Sequence, residues 1–330
     1  MKLLEINDLY ADYTSNKGIT GKKEIIHALN GLNLYVNKGE ILSIAGESGC
    51  GKSTLAKVIM KLITPQRGEI KFENNDILNL KNKNDIKNFY KKIQMIFQNP
   101  YSSLNPKQTI GSILREPLKI NTNYNSKETD KIIEEKLEQV GLDKSVLKLY
   151  PHEFSGGQRQ RIAIARALVL EPELIIADEP VSALDVSIQA QIINLIKSLK
   201  DNNNLTFLFI SHDLSVIRYL SDRIAIMYLG EIVETGLTEE IFENPKHPYT
   251  KALLSSVPAI STSDAKEIVS LKGELPSAQN LPKGCKFHTR CPYSMEICEK
   301  SSPFICEFSS THSCKCFLYD ENCLNSLSQR

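Results

Sequence analysis

The nine residues Gly46-Glu47-Ser48-Gly49-Cys50-Gly51-Lys52-Ser53-Thr54 constrain this chain more than any other stretch. An apolar run, Ile41-Leu42-Ser43-Ile44-Ala45, precedes them, and a helical pattern, Leu55-Ala56-Lys57-Val58-Ile59-Met60, follows. Strand, glycine-rich loop and helix in that order make a phosphate-binding P-loop. Glycines let successive backbone N–H groups turn inward around phosphate oxygens, and the helix N-terminus adds partial positive charge. Lys52 is placed for the β- and γ-phosphates, and the Ser53 hydroxyl for Mg²⁺. The expected ligand is a nucleoside triphosphate.

Further pieces follow in order. Leu174-Ile175-Ile176-Ala177 is a continuous apolar run, expected as a strand buried on both faces of a parallel sheet. Asp178 and Glu179 stand at its end, where Asp178 can hold Mg²⁺ and Glu179 can polarise an attacking water. The plain alternative for such a pair is a helix cap with solvated carboxylates. Phe154-Ser155-Gly156-Gly157-Gln158 precedes a helical pattern over Arg159–Leu170. Alone it reads as a turn or cap; beside a P-loop it offers a second phosphate-binding helix N-terminus. Helices are also expected over Glu128–Leu142, with Ile132, Leu137 and Val140 on one side, and over Ser187–Leu199. Leu205–Ile210 reads as another buried strand, and Arg223–Tyr228 with Glu231–Glu234 as a hairpin around Leu229-Gly230. The first 98 residues otherwise read as β-like and turn-like segments, and about 99–170 as a mostly helical insert. Residues 258–282 are rich in Ser and Pro and read as a linker.

The net charge of +1 gives no global reason to expect nucleic-acid binding. No apolar run approaches the roughly 18 residues that cross a bilayer, so a role at a membrane needs another chain to span it. The start carries no secretory signal pattern. Of eight cysteines, Cys50 lies in the P-loop and seven fall between Cys285 and Cys323. In a reducing compartment such a cluster reads as metal ligation before disulfides.

Taken together, Gly46–Thr54, Gln98, Ser155–Gln158, Asp178–Glu179, Ser182-Ala183-Leu184-Asp185 and His212 resemble the ATPase domain of an ABC transporter. The resemblance implies an α/β fold: a RecA-like core, an antiparallel β subdomain and a helical subdomain, over residues 1–257, followed by an extension over 258–330. It implies ATP hydrolysis with Mg²⁺ held by Ser53, Gln98 and Asp178. It further implies a head-to-tail pair of ATPase subunits, with Ser155, Gly157 and Gln158 of one contacting the γ-phosphate on the other's P-loop. Asp185 would lie at the seam between them. Glu179 would act as general base, and His212 would bridge it to the γ-phosphate. Tyr13 is the candidate to stack on adenine, with Tyr10 as competitor.

Phe97-Gln98-Asn99-Pro100-Tyr101-Ser102-Ser103-Leu104-Asn105-Pro106 and Asn244–Leu254 resemble dipeptide and oligopeptide importers, and the former looks like the second of their two ATPase subunits. That implies two transmembrane permeases, an extracellular substrate-binding protein, a second ATPase subunit (a related chain or a copy), and a place on the cytoplasmic face of the membrane. Import of nickel or another peptide-like cargo is the alternative; a soluble ABC protein acting on ribosomes or DNA is a third. Gly284–Tyr293 resembles the same importers' C-terminal extension, which implies a [4Fe–4S] cluster on Cys285, Cys291, Cys298 and Cys316. The spacing of the cysteines alone suits zinc better, and Cys306 and Cys314 are additional thiols.

Overall fold

The computed structural model describes residues 1–17, 22–255 and 273–320. The expected linker over 258–282 lies partly, and Cys323 wholly, outside the described residues. The chain divides into two compact units.

The first comprises Met1–Leu4, Val36–Ile41 and Lys71–Ser211. Its centre is three parallel strands, Ile93–Ile96, Leu174–Asp178 and Thr206–Ile210, with Ile96 beside Ala177 and Asp178 beside Ile210. The last two strands are buried throughout, as both-faced burial requires of such apolar runs. Helices Ile110–Asn121, Ser126–Gln139 and Gly156–Leu168 make up the insert. Ser126–Gln139 opens with a capping box between Asn125 and Glu128, which satisfies two backbone donors reciprocally. Its core residues are Ile133 and Leu137, with Val140 just beyond its end, whereas Ile132 is only half-buried. One position is a turn of about 100° on a helix, so Ile133 and Leu137, four apart, share the stripe that Ile132 misses. Helix Val186–Asn203 runs past the expected end at Leu199 and stops at Asn204 in the left-handed region, φ 50°. Helix Lys83–Lys92 was not expected from the sequence; its apolar face is limited to Ile86, Phe89 and Tyr90, of which only Phe89 is fully buried.

The second unit comprises Glu5–Tyr35, Leu42–Ile70 and His212–Arg330. The P-loop strand Ile41–Ala45 pairs in parallel with Arg223–Tyr228, Leu42 beside Arg223 and Ala45 beside Ile226. Arg223–Tyr228 turns through Leu229 and Gly230, φ 43° and 80°, into the antiparallel strand Glu231–Leu237. Consecutive positive φ values give the tight turn that suits a two-residue hairpin loop. The C-terminal extension continues this arrangement: Ser313–Lys315 pairs with Glu231–Leu237, and Ile305–Glu307 with Ser313–Lys315. Phe287 enters the core of this unit with Tyr228, Tyr249, Ile226 and Phe242. Its ring lies 5.2 Å from that of Tyr228 and 5.4 Å from that of Tyr249. Strands Lys22–Asn37, Lys2–Lys17 and Arg67–Phe72 are neighbours in a separate sheet. Among the described residues no helix is long and apolar enough to cross a membrane.

Candidate active site

The P-loop helix runs over Lys52–Ile59, entered from Gly51 at φ 110°. A Cβ at Gly51 would fall 2.3 Å from the Ala28 carbonyl oxygen, so conformation and space both demand glycine. Gly46 and Gly49 also take positive φ, and Gly49 borders open space. Lys52 is buried and donates from Nζ to the carbonyls of Gly46, at 2.7 Å, and Glu47, at 3.0 Å. Its ammonium is therefore folded across the loop it is expected to serve. Burial raises the Cys50 thiol above its ordinary value, which keeps it neutral beneath the loop. Ser53 is half-buried, Thr54 is buried, and Ser48 is exposed.

Tyr13 donates from Oη to Thr54 Oγ1 at 3.2 Å. Tyr10 instead lies under the Arg67 guanidinium, 3.9 Å from its ring centre, with its hydroxyl against Gly31. Of the two tyrosines, Tyr13 reaches the P-loop helix.

In the other unit, Asp178 is buried at the end of its strand and Glu179 is half-buried just beyond it. Glu179 takes φ 46°, an uncommon conformation for a residue with a Cβ, and its N–H is held by the Ile210 carbonyl at 2.9 Å. Strain of this kind concentrates at functional sites. Gln98 donates from Nε2 to Glu179 Oε2 at 2.9 Å. The amide and the carboxylate, 81 residues apart, therefore meet. Helix Gly156–Leu168 is capped by Ser155: its Oγ accepts from the Gln158 N–H at 3.4 Å, and Gln158 Oε1 accepts from the Ser155 N–H at 3.0 Å. Both residues remain exposed, while Gly157 is buried. A Cβ on Gly157 would stand 2.4 Å from Ile188 Cγ2, so the two helices meet where only hydrogen fits. The same helix grips the segment after Gln98. Arg159 lies 4.2 Å over the Tyr101 ring, and Arg166 donates to the Ser103 carbonyl at 2.6 Å. Asp185 is exposed at the N-cap of Val186–Asn203, where its carbonyl accepts from the N–H groups of Ile188 and Gln189. His212 is exposed after strand Thr206–Ile210 and belongs to the second unit.

Sequence reasoning missed Arg290. Its Nη1 donates to both carboxylate oxygens of Glu47, at 3.1 and 3.0 Å. The partners stand 243 positions apart, and no local pattern reveals the pair. A lone basic residue beside Cys291 was the only signal.

In the extension, burial pushes Cys285 up to about 12 and Cys291 up to about 11. Cys298 and Cys316 push both further, so these four thiols lie within electrostatic reach of one another. Cys314 hydrogen-bonds Cys316, which raises Cys314 and lowers Cys316. Among the described residues, no three His, Cys, Asp or Glu side chains are arranged to hold a single metal ion. That arrangement supports neither the zinc site that spacing suggested nor the cluster that the resemblance implied.

Comparison with known proteins follows the same lines. Residues 29–182 match the family described as ABC transporter, and residues 233–298 match the family described as oligopeptide/dipeptide transporter, C-terminal region. The chain is 51% identical over 320 residues to the oligopeptide transport ATP-binding protein AppF of Bacillus subtilis, covering 96% of this chain and 97% of that one. It is 43% identical to the dipeptide transport ATP-binding protein DppF of Escherichia coli, covering 97% and 95%. The fold is similar to the ATP-binding cassette MJ0796, solved as a dimer in a post-hydrolysis state bound to ADP and Pi. The TM-score is 0.63 at 32% identity, over 71% of this chain and 98% of that one. With a P-loop, a strand ending in Asp178-Glu179 and a peptide-transporter C-terminal region in one chain, this protein belongs to the ABC transporter family, among the ATP-binding subunits of its oligopeptide and dipeptide importers.

Proposed function

We propose that this chain hydrolyses ATP to drive import of short peptides, as the second of two ATPase subunits. The hydrogen bond between Gln98 and Glu179 carries the reading. It ties the carboxylate suited to polarise water to the residue that opens the Tyr101–Ser103 segment. Arg159 and Arg166 extend that tie to the helix capped by Ser155. Nucleotide state at Glu179 thereby has a covalent and hydrogen-bonded route to a partly exposed surface, Phe97 and Tyr101. That surface is the proposed seat of a permease's cytoplasmic segment.

In this scheme ATP lies on Gly46–Thr54, with Tyr13 against adenine. Mg²⁺ is held by Ser53, Gln98 and Asp178, and His212 supports the γ-phosphate. Ser155, Gly157 and Gln158 meet the γ-phosphate bound by a neighbouring ATPase subunit, and Asp185 lies near the seam. Two triphosphates then hold two subunits together, and hydrolysis removes the contacts. Residues 1–257 form the ATPase domain and 258–330 its extension. The chain acts at the cytoplasmic face of the membrane, beside two permeases and an extracellular binding protein.

Cys285, Cys291, Cys298 and Cys316 are the proposed ligands of a [4Fe–4S] cluster. Four thiols, Cys298 and Cys316 buried and Cys285 and Cys291 half-buried, that repel one another as thiolates suit a polynuclear cation, in which each iron takes one sulfur. A single Zn²⁺ would need all four sulfurs at about 2.3 Å. The cluster would supply a rigid tie across the extension. Iron and sulfide in an anaerobic preparation support it; zinc alone, or neither, contradicts it.

The transport reading is tested in proteoliposomes holding this chain with its co-purifying permeases and binding protein. ATP-dependent uptake of labelled di- to pentapeptides, lost in Lys52→Ala, is expected. Uptake of nickel without peptides would contradict it.

A further inference from the structure

Glu47 is an awkward residue for a loop that receives a triphosphate. Its carboxylate repels the phosphates that the surrounding N–H groups and Lys52 attract. Two groups from the C-terminal third of the chain act on it. The Tyr249 hydroxyl accepts from the Glu47 N–H at 2.9 Å. Arg290 meets both carboxylate oxygens and is only 7% exposed, against 25% for Glu47. The supports are themselves fixed. Tyr249, Tyr228 and Phe287 form a buried aromatic cluster, with Tyr228 and Tyr249 4.7 Å apart. Phe287 and Arg290 lie on one short turn, where the Arg290 N–H donates to the Phe287 carbonyl at 3.0 Å. The Arg290 guanidinium also stands 5.9 Å from the centre of the Tyr228 ring.

The geometry points to Arg290, on the C-terminal extension, as a positioning residue of the ATP site that neutralises Glu47 and pins the first turn of the P-loop. This rests on the assignment of Gly46–Thr54 as the nucleotide site. Arg290 does not touch nucleotide; it acts through Glu47. A paired, largely buried carboxylate is held in one place with its charge compensated, whereas an unpaired one faces the phosphates with its full charge. Arg290 adjoins Cys291 and lies on the Cys285–Cys291 turn, so the thiol-bearing extension and the phosphate loop share one ion pair.

The test is a double-mutant cycle on the full chain, reading the Kd of N-methylanthraniloyl-ATP by fluorescence. R290Q should raise Kd roughly tenfold. In the E47Q background the same change should raise it less than twofold, because no carboxylate is left to neutralise. R290K, which keeps the charge but loses the fork, should fall between wild type and R290Q. A purely structural role predicts an equal cost in both backgrounds. That result, or no cost in either, overturns the proposal while leaving ATP binding by wild type intact. Wild type that does not bind the probe would instead overturn the nucleotide site itself.

Discussion

Gln98 Nε2 donates to Glu179 Oε2 across 2.9 Å. The carboxylate therefore has a fixed partner and direction at the end of a buried strand, in a backbone conformation (φ 46°) that its surroundings must hold. Glu179→Gln keeps size and hydrogen bonding but cannot accept a proton. It should bind ATP and lose about 10²- to 10⁴-fold in hydrolysis rate. Single-turnover phosphate release measures this; turnover within threefold of wild type would remove Glu179 as the base.

Gly157 should not tolerate even one methyl group. Its Cβ would meet Ile188 Cγ2 at 2.4 Å, on a helix whose own backbone is fixed. Gly157→Ala should lower stability by about 1–3 kcal/mol in urea unfolding. Adding Ile188→Ala, which removes the offending methyl, should recover part of that loss. Additive losses would place the cost elsewhere.

Arg166 ties helix Gly156–Leu168 to Ser103, and burial lowers its pKa from the usual guanidinium range. Arg166→Gln cannot keep the same reach. Basal ATP hydrolysis should stay within a few-fold of wild type, while stimulation by permeases and loaded binding protein should fall at least fivefold in proteoliposomes. Undiminished stimulation would exclude this helix from the coupling route.

Stability should fall on mild acidification. His247 is buried, and its Nδ1 accepts from the Tyr249 N–H at 3.1 Å. Burial lowers its pKa from 6.5 to about 4, with Glu234 opposing that shift. Between those values the unfolded chain takes up a proton that the folded chain refuses, so folding stability drops as pH falls through the window. Fully developed, the effect is about 3 kcal/mol. His247→Asn should flatten the urea midpoint between pH 7 and pH 5; an unchanged slope would assign the acid sensitivity to other groups.

Local chemistry explains what the sequence made legible. A glycine loop before a helix, a carboxylate pair after four apolar residues, and a Ser-x-x-Gln cap each act over a few positions, and each is found where it was read. Helix Lys83–Lys92 was not legible because its apolar stripe is short, Ile86, Phe89 and Tyr90 in an otherwise polar segment, and only Phe89 is fully buried. Ile133 displaced Ile132 because tertiary packing selects the stripe, not the composition of the segment. The Arg290–Glu47 pair and the Phe287 cluster join residues far apart in the chain, which no short pattern encodes.

The most direct measurement is photo-crosslinking from position 155 of the Glu179→Gln variant, assembled with its permeases. With ATP and Mg²⁺, the crosslink should fall on the P-loop peptide of the neighbouring ATPase subunit, and it should be lost without nucleotide. A crosslink confined to the same chain, or one indifferent to ATP, would contradict a triphosphate shared between the two subunits.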